Sequence, residues 1–535
     1  MNIKKITSFF VSYYFVYSVQ VILFVLMILG VLPRNFVFIL AALQMAYVLF
    51  KPIPKALAFF ISSVPLFIAL PLTGSFDSLN IWRLLSIAIF IRWTIKNRME
   101  LIGATEDTLS KLIKKPLQLI LDHKIAASII ILFIISAISI TAATEPVQSI
   151  KRIIYFINLL LVPIVIYDQI KRNALPIENI IKPIATATIL AVVAGFAQLL
   201  STYLVDIYKF MNIWGERIQF IQFGRLWSDI AVYKGNTWLA YYGDQLTLRM
   251  FSLFPDSHSF PIYIILGMAS IITLALKKID FNSGGFRNVI KSKIGVLSIV
   301  IPCVILAAFL SGTRGIWVAG AVVIIGAIIF LFVLVKRKID KQRVRVFEYV
   351  GLLMIFFVLA YLIAQPIFAS PQFMASKDSS FLNSRLRSII DFGETSNAQR
   401  IAIYKATLKS ITKHPLLGVG IYNFPVVLDQ KVILSRAGSS AHNIYLHIAA
   451  EMGIPALVIF LAFVYLLISK TYGNFSRSND KFIIILNASL LICLSWVLIY
   501  SLTDVALFDE RAFLMFSSIC AIIFGTNSGT LTSYG

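Results

Sequence analysis

Apolar runs of about twenty residues, parted by short charged clusters, recur from one end of this chain to the other. A run of that length crosses the hydrocarbon of a bilayer as a helix. In lipid the backbone must satisfy its own hydrogen bonds, which leaves helices and closed barrels as the spanning structures. Hydrophobic residues make up 59% of the 535-residue chain and charged residues only 14%. No water-soluble interior of this size hides that much apolar side chain. The expected fold class is therefore all-α, a polytopic membrane protein of about 12–14 transmembrane helices. Spans are read near residues 10–32, 34–50, 56–73, 79–95, 125–144, 151–168, 183–205, 259–276, 294–311, 314–335, 349–368, 454–469, 482–502 and 511–526. The second and fourth are short, and the fourth carries Arg83 and Arg92.

The net charge is +23, from 48 Lys and Arg against 25 Asp and Glu. No nucleic-acid-binding signature accompanies it, so nucleic acid is excluded as a partner and the excess is read as topology. With the N-terminus inside, behind Lys4 and Lys5, alternating spans place Lys51 and Lys55, the stretch Lys96 to Lys124, Lys171 and Arg172, Lys277 to Lys293, Lys336 to Arg345 and Lys470 to Lys481 on the inside. The short outside turns, such as 145–150 and 503–510, are poor in Lys and Arg. The expectation is a bacterial inner-membrane protein with both termini cytoplasmic. The first run, Phe9 to Leu32, is too long for a signal-peptide core and reads as a span. Cys303, Cys493 and Cys520 all lie in apolar runs, which implies neither a disulfide framework nor a cysteine metal site.

This organisation gives an N-terminal transmembrane bundle over 1–205, an aromatic-rich outside loop over 206–258, central helices over 259–368, a large outside loop over 369–453, and C-terminal helices over 454–535. The aromatic-rich loop holds Trp214, Trp227, Trp238, Tyr241 and Tyr242. Within the large loop, residues 371–441 carry nine basic and four acidic residues. Long loops escape the inside bias, so this excess suits an anionic ligand. Ser396 to Lys413 is expected to be helical, with Ile401, Tyr404, Leu408 and Ile411 on its apolar face, and Pro415 to stop it.

Four polar patches fall on the outside by this topology. Ser311-Gly312-Thr313-Arg314-Gly315 lies between two strong spans. An interfacial arginine is most often an anchor, but charge this near hydrocarbon is costly unless paired or solvated. Arg400 lies in the expected helix before His414-Pro415-Leu416-Leu417-Gly418-Val419-Gly420. Ala441-His442-Asn443 leads through His447 to Glu451-Met452-Gly453 at the entrance of a span, and Arg249 leads to Asp256-Ser257-His258 before another. His442 and His447 are five apart, so on one helix they point about 140° from each other and cannot share a metal. With no paired-carboxylate motif, no metal and no cofactor are expected. Arginine grips phosphate oxygens in a two-pronged way and keeps its proton. Arg314 and Arg400 thus suit the diphosphate of a lipid-linked donor, and His442 suits removal of a proton from an acceptor hydroxyl.

Together these patches resemble the O-antigen ligase and polymerase family of membrane glycosyltransferases. The Ser-x-(Ser/Thr)-Arg-Gly turn is matched at Ser311 to Gly315. The helix arginine before Pro-Leu-x-Gly-x-Gly is matched at Arg400 and Pro415 to Gly420. The His-(Asn/Ser/Gln) pair, nine residues and then Gly-x-x-Gly are matched at His442, Asn443 and Gly453. Ala456 stands where that family has its last glycine and the following threonine is absent, which tilts the expectation toward polymerase. Arg249 to Asp256 resembles an Arg-x-x-Gly-x-Phe-x-(Asp/Asn) segment, with Ser252 in place of the glycine.

The resemblance implies a GT-C-like fold and a metal-independent inverting transfer from an undecaprenyl-diphosphate-linked glycan. The acceptor would be a glycan or lipid A-core, and a chain-length regulator would be a further partner beside membrane lipids. It implies catalytic roles for His442, Arg314 and Arg400 and substrate contacts at Arg249, Asp256, His258, Asn443, Ser311 and Thr313. The alternative is a multi-span transporter such as a polysaccharide flippase. That class calls for charges at mid-span and broken helices in two related halves, and the clear spans have neither.

Overall fold

The computed structural model describes residues 13–73, 77–100, 103, 123–233, 237–242, 245–277, 296–337, 340–352, 355–373, 395–432 and 439–526. The basic stretches after Glu100 and Lys277, and residues 374–394 of the large loop, lie largely or wholly outside them. The main helices are α1 (Tyr13–Ile28), α2 (Val37–Phe50), α3 (Ile53–Ser63), α4 (Ile81–Lys96), α5 (Lys124–Ser139), α6 (Pro146–Lys171), α7 (Ile177–Ser201) and α8 (Ser259–Leu276). They continue with α9 (Val296–Leu310), α10 (Arg314–Lys336), α11 (Lys341–Leu352), α12 (Ile355–Ala369), α13 (Thr395–Lys413), α14 (Ile444–Arg477), α15 (Lys481–Tyr500) and α16 (Glu510–Gly525). Among the described residues, eight helical stretches, one of them joining α11 and α12, are long and apolar enough to cross a membrane, and four further apolar helices are shorter.

The surface shows why lipid is the solvent. Along α10, Val318, Val322, Ile325, Ile329 and Phe332 recur every three or four residues, and all are exposed. A continuous apolar stripe of that kind would be strongly unfavourable in water. At the centre, α8 is almost wholly buried and packs against α7, α9, α15 and α16. On one flank α6 packs on α16 and α4, and α14 packs on α5 and α15. The protein is therefore an all-α polytopic membrane protein.

The aromatic-rich segment 206–258 carries secondary structure of its own, and one expectation, the apolar face of the 395–413 helix, changes. Short helices at Ile207–Phe210, Ile218–Phe223 and Arg225–Tyr233 precede a hairpin of β3 (Leu239–Tyr242) and β4 (Gln245–Leu248). An earlier two-residue pair, β1 (Ala69–Leu70) and β2 (Leu79–Asn80), is the other sheet among the described residues. Trp238 is buried against Phe251, ring centroids 4.9 Å apart, and its Nε1 donates to the Pro255 carbonyl at 2.9 Å. Satisfying the indole N–H is what permits such burial. The helix at 395–413 forms as expected, but its apolar face is displaced. Ile401 and Leu408 are 55% and 52% exposed, whereas Tyr404, Thr407 and Ile411 turn inward. Thr407 satisfies its hydroxyl on the Ile403 carbonyl at 2.7 Å, so a polar residue fits the inner face. Arg400 shares that face, one turn before Tyr404.

Candidate functional site

His442 lies just before α14 rather than on it. Its φ is 45°, in the left-handed region that costs a residue with a Cβ about 1–2 kcal/mol. Surrounding bonds hold it there. Asn443 is the N-cap, its Oδ1 accepting from the N–H groups of Tyr445 and Leu446 at 3.0 and 3.1 Å. The Tyr404 hydroxyl donates to the His442 carbonyl at 3.2 Å. Ile444 N–H donates to the Ser501 carbonyl at 2.9 Å, and the Tyr445 hydroxyl to the Leu498 carbonyl at 2.9 Å. The histidine is thus moored to the turn between α15 and α16.

That turn supplies a residue the sequence reading did not name, Asp504. It is 7% exposed. Its Oδ2 lies 3.2 Å from His258 Nδ1 and 3.8 Å from His442 Nδ1, and its Oδ1 accepts from Ala506 N–H at 2.9 Å. Burial alone would raise the Asp504 carboxyl. The two histidines and the Ala506 N–H outweigh it and hold the group below the usual carboxylate range. His258 Nδ1 also meets the Tyr500 hydroxyl at 3.0 Å, while its Nε2 faces Arg249 Nη2 at 3.4 Å. Arginine only donates, so Nε2 accepts and the proton sits on Nδ1. Burial pushes the His258 imidazole below its usual value, more than the Asp504 charge restores, in keeping with that neutral form.

The Ser311 to Gly315 turn closes on the same place. Arg249 Nε donates to the Ser311 carbonyl at 3.4 Å and Nη2 to Thr313 Oγ1 at 3.3 Å, and Thr313 donates to the Ser257 carbonyl at 3.1 Å. Ser311 is fully buried, its hydroxyl on the Ala308 carbonyl at 2.7 Å. Asp256 Oδ1 accepts from His258 and Ser259 N–H groups, both at 2.8 Å, at the start of α8. Gly315 has no room for a Cβ, which would overlap Thr503. Arg314 begins α10 beside this contact and is exposed. Arg400 is half-buried, near enough for its charge to reach Tyr404 and Tyr500. Thr313→Val should leave the Ser257 carbonyl unpaired and loosen Arg249, costing about 1–3 kcal/mol. A thermal melt in detergent checks this; an unchanged midpoint would mean that the bonds do not hold the turn.

The Pro415 to Gly420 turn meets the end of the His442 segment. Gly418 (φ 62°) and Gly453 (φ 84°) each face the other's strand of backbone, where a Cβ would overlap Glu451 and Leu416 respectively. Val419 N–H donates to the Ala450 carbonyl at 2.9 Å and Ile454 N–H to the Pro415 carbonyl at 2.8 Å. Gly453 leaves helical geometry, so α14 is two helices joined at a kink. Glu451, just before the kink, accepts from Phe424 N–H at 3.2 Å and lies 3.5 Å from His447.

A cavity of about 1050 Å³ opens beside these groups. His258, His442, His447, Glu451, Asp504 and Asp509 line its polar end, with Asp256. Burial, then the charges of Asp256 and Asp504, push the Asp509 carboxyl well above its usual range. The cavity continues between α5, α6 and α14 along Ile125, Ile129, Phe133, Leu160, Ile164 and Phe463. Its lining does not include Arg249, Arg314, Arg400, Ser311, Thr313 or Asn443. These residues brace or flank the polar end. Among the described residues no three His, Cys, Asp or Glu side chains form a metal-binding group.

Asp504 could have been suspected from the acidic turn Asp504, Asp509, Glu510 on the expected outside face. Nothing local distinguishes it, because its role comes from two histidines remote in sequence. No curated protein matches the chain. Residues 299–461, which hold the Arg314 turn, Arg400 and the His442 segment, match the family model Wzy_C, described as O-antigen ligase, and over that region the chain is similar to the O-antigen ligase family.

Proposed function

We propose that the protein transfers a glycan from a polyprenyl-diphosphate donor to an acceptor hydroxyl at the outer face of the bacterial inner membrane. The observation that carries this is one cavity joining two chemistries: an apolar trough open to a lipid chain, and a polar end with His442 beside a buried carboxylate. Prenyl-linked sugar diphosphates combine those same two parts.

In the proposed step the acceptor oxygen attacks the anomeric carbon from the face opposite the diphosphate. The carbon–oxygen bond to the diphosphate breaks and its electron pair leaves with the phosphate. His442 takes the acceptor proton through Nε2, since Nδ1 faces Asp504, whose charge stabilises the imidazolium as it forms. Nδ1 and Oδ2 are slightly beyond hydrogen-bond length at 3.8 Å, and catalytic bonds commonly shorten once substrate is bound. Arg314 and Arg400 neutralise the leaving diphosphate. One-sided displacement predicts inversion at the anomeric carbon.

Extension of a growing glycan is the favoured outcome over transfer to lipid A-core, on the strength of Ala456 in place of glycine. With synthetic undecaprenyl-diphosphate oligosaccharide and EDTA, the purified protein should release undecaprenyl diphosphate and yield longer glycan of inverted linkage. Loss of all activity in chelator, restored by a divalent ion, would refute the arginine-based mechanism. Product appearing only on added lipid A-core would make it a ligase.

A further inference from the structure

The cation that the cavity itself carries near its polar end is Arg152. It lies in the second turn of α6, on a part of the chain that no motif singled out. Its guanidinium carbon stands 4.6 Å from the Phe156 ring centroid, 4.8 Å from Tyr155 and 5.4 Å from Tyr422. Among the described residues it makes no ion pair and no hydrogen bond. Aromatic faces hold an arginine in place without occupying its five N–H donors. A half-buried guanidinium with donors to spare, facing a cavity, suits an anion.

Its position within the cavity indicates which anion. On α6 the lining residues Arg152, Phe156, Leu160, Ile164, Tyr167 and Lys171 recur every three or four positions. Arg152 therefore tops an apolar stripe that runs on for roughly 18 Å to Ile164. On its other side its charge reaches His447 and Asp509 at the polar end. The anionic group of a prenyl-linked diphosphate that sits at this junction is the phosphate bonded to the hydrocarbon chain.

We infer that Arg152 binds the lipid-proximal phosphate of the donor, registering the prenyl chain in the trough so that the sugar reaches His442. This rests on the function proposed above and adds a binding residue to it. The test uses the full chain in nanodiscs with undecaprenyl diphosphate lacking any sugar, and with undecaprenol as the phosphate-free control. The wild type should bind the diphosphate more tightly than the alcohol. Arg152→Gln should weaken diphosphate binding about tenfold or more and leave the alcohol unchanged. Arg152→Lys, which keeps the charge but not the fork, should fall between them and serves as the reporter if the glutamine variant does not fold.

Diphosphate binding by Arg152→Gln at wild-type strength, or by Arg152→Lys where only that variant folds, would overturn the Arg152 assignment and leave the proposed function standing. A wild type that does not distinguish diphosphate from alcohol would overturn both. Displacement of the bound diphosphate by anionic phospholipid would make the site a headgroup site and also refute the assignment.

Discussion

Replacing His442 with alanine is expected to lower kcat by about 10²–10⁴ with donor binding and melting temperature close to wild type. The side chain sits at the cavity wall, and in the proposed step what it supplies is needed only as the acceptor loses its proton. Asp504→Asn should lower kcat by about 10², because the amide cannot stabilise imidazolium as the carboxylate does. The double variant should be little worse than His442→Ala alone, since Asp504 acts through the histidine. Full additivity in single-turnover rates would show that the two act separately. His258 and His442 keep the Asp504 carboxyl below the usual range. It therefore stays ionised at and above about pH 5, and any fall in rate from pH 8 to 5 must come from another group.

Gly453→Ala should abolish recovery of well-folded protein. At φ 84° and ψ 172° the residue occupies a region open almost only to glycine, at a cost of about 1–3 kcal/mol for any other. The added methyl would also overlap the Leu416 carbonyl, which is backbone and cannot swing aside. Against a net stability of about 5–15 kcal/mol the combined loss is severe. Gly418→Ala strikes the same contact from the other side, so the pair together should lose little more than either alone. Size-exclusion profiles and thermal melts in detergent would register this; a monodisperse Gly453→Ala protein with a wild-type midpoint would contradict it.

These two sites differ in how far the chain disclosed them. The helices were legible because hydrocarbon demands about twenty apolar residues whatever their order: a helix lies at each expected stretch, and among the described residues eight stretches are long and apolar enough to cross a membrane. The third ends early: beyond Ser63 the backbone tightens into a short 3-10 turn and then extends to pair Ala69–Leu70 with Leu79–Asn80. Helix 395–413 was legible from its spacing and its proline stop, but not its inward face. An apolar side chain exposed in a membrane protein carries no penalty against lipid, so Ile401 and Leu408 could face out. The glycines at 418 and 453 read as turn signals, yet their mutual contact could not be seen from either segment alone. Asp504 escaped notice because one carboxylate in a short turn is unremarkable until the fold sets two imidazoles against it. Arg152 resembled any charge near a helix start, and its significance depends on a cavity that runs between α5, α6 and α14.

In the proposed mechanism His442 acts after the donor is seated. The direct measurement loads wild type and His442→Ala with labelled undecaprenyl-diphosphate glycan in nanodiscs, then adds acceptor in the presence of chelator. Wild type should convert the donor to extended glycan and undecaprenyl diphosphate, and His442→Ala should bind the donor with unchanged Kd while turning over none. Transfer by His442→Ala at the wild-type rate would contradict the account.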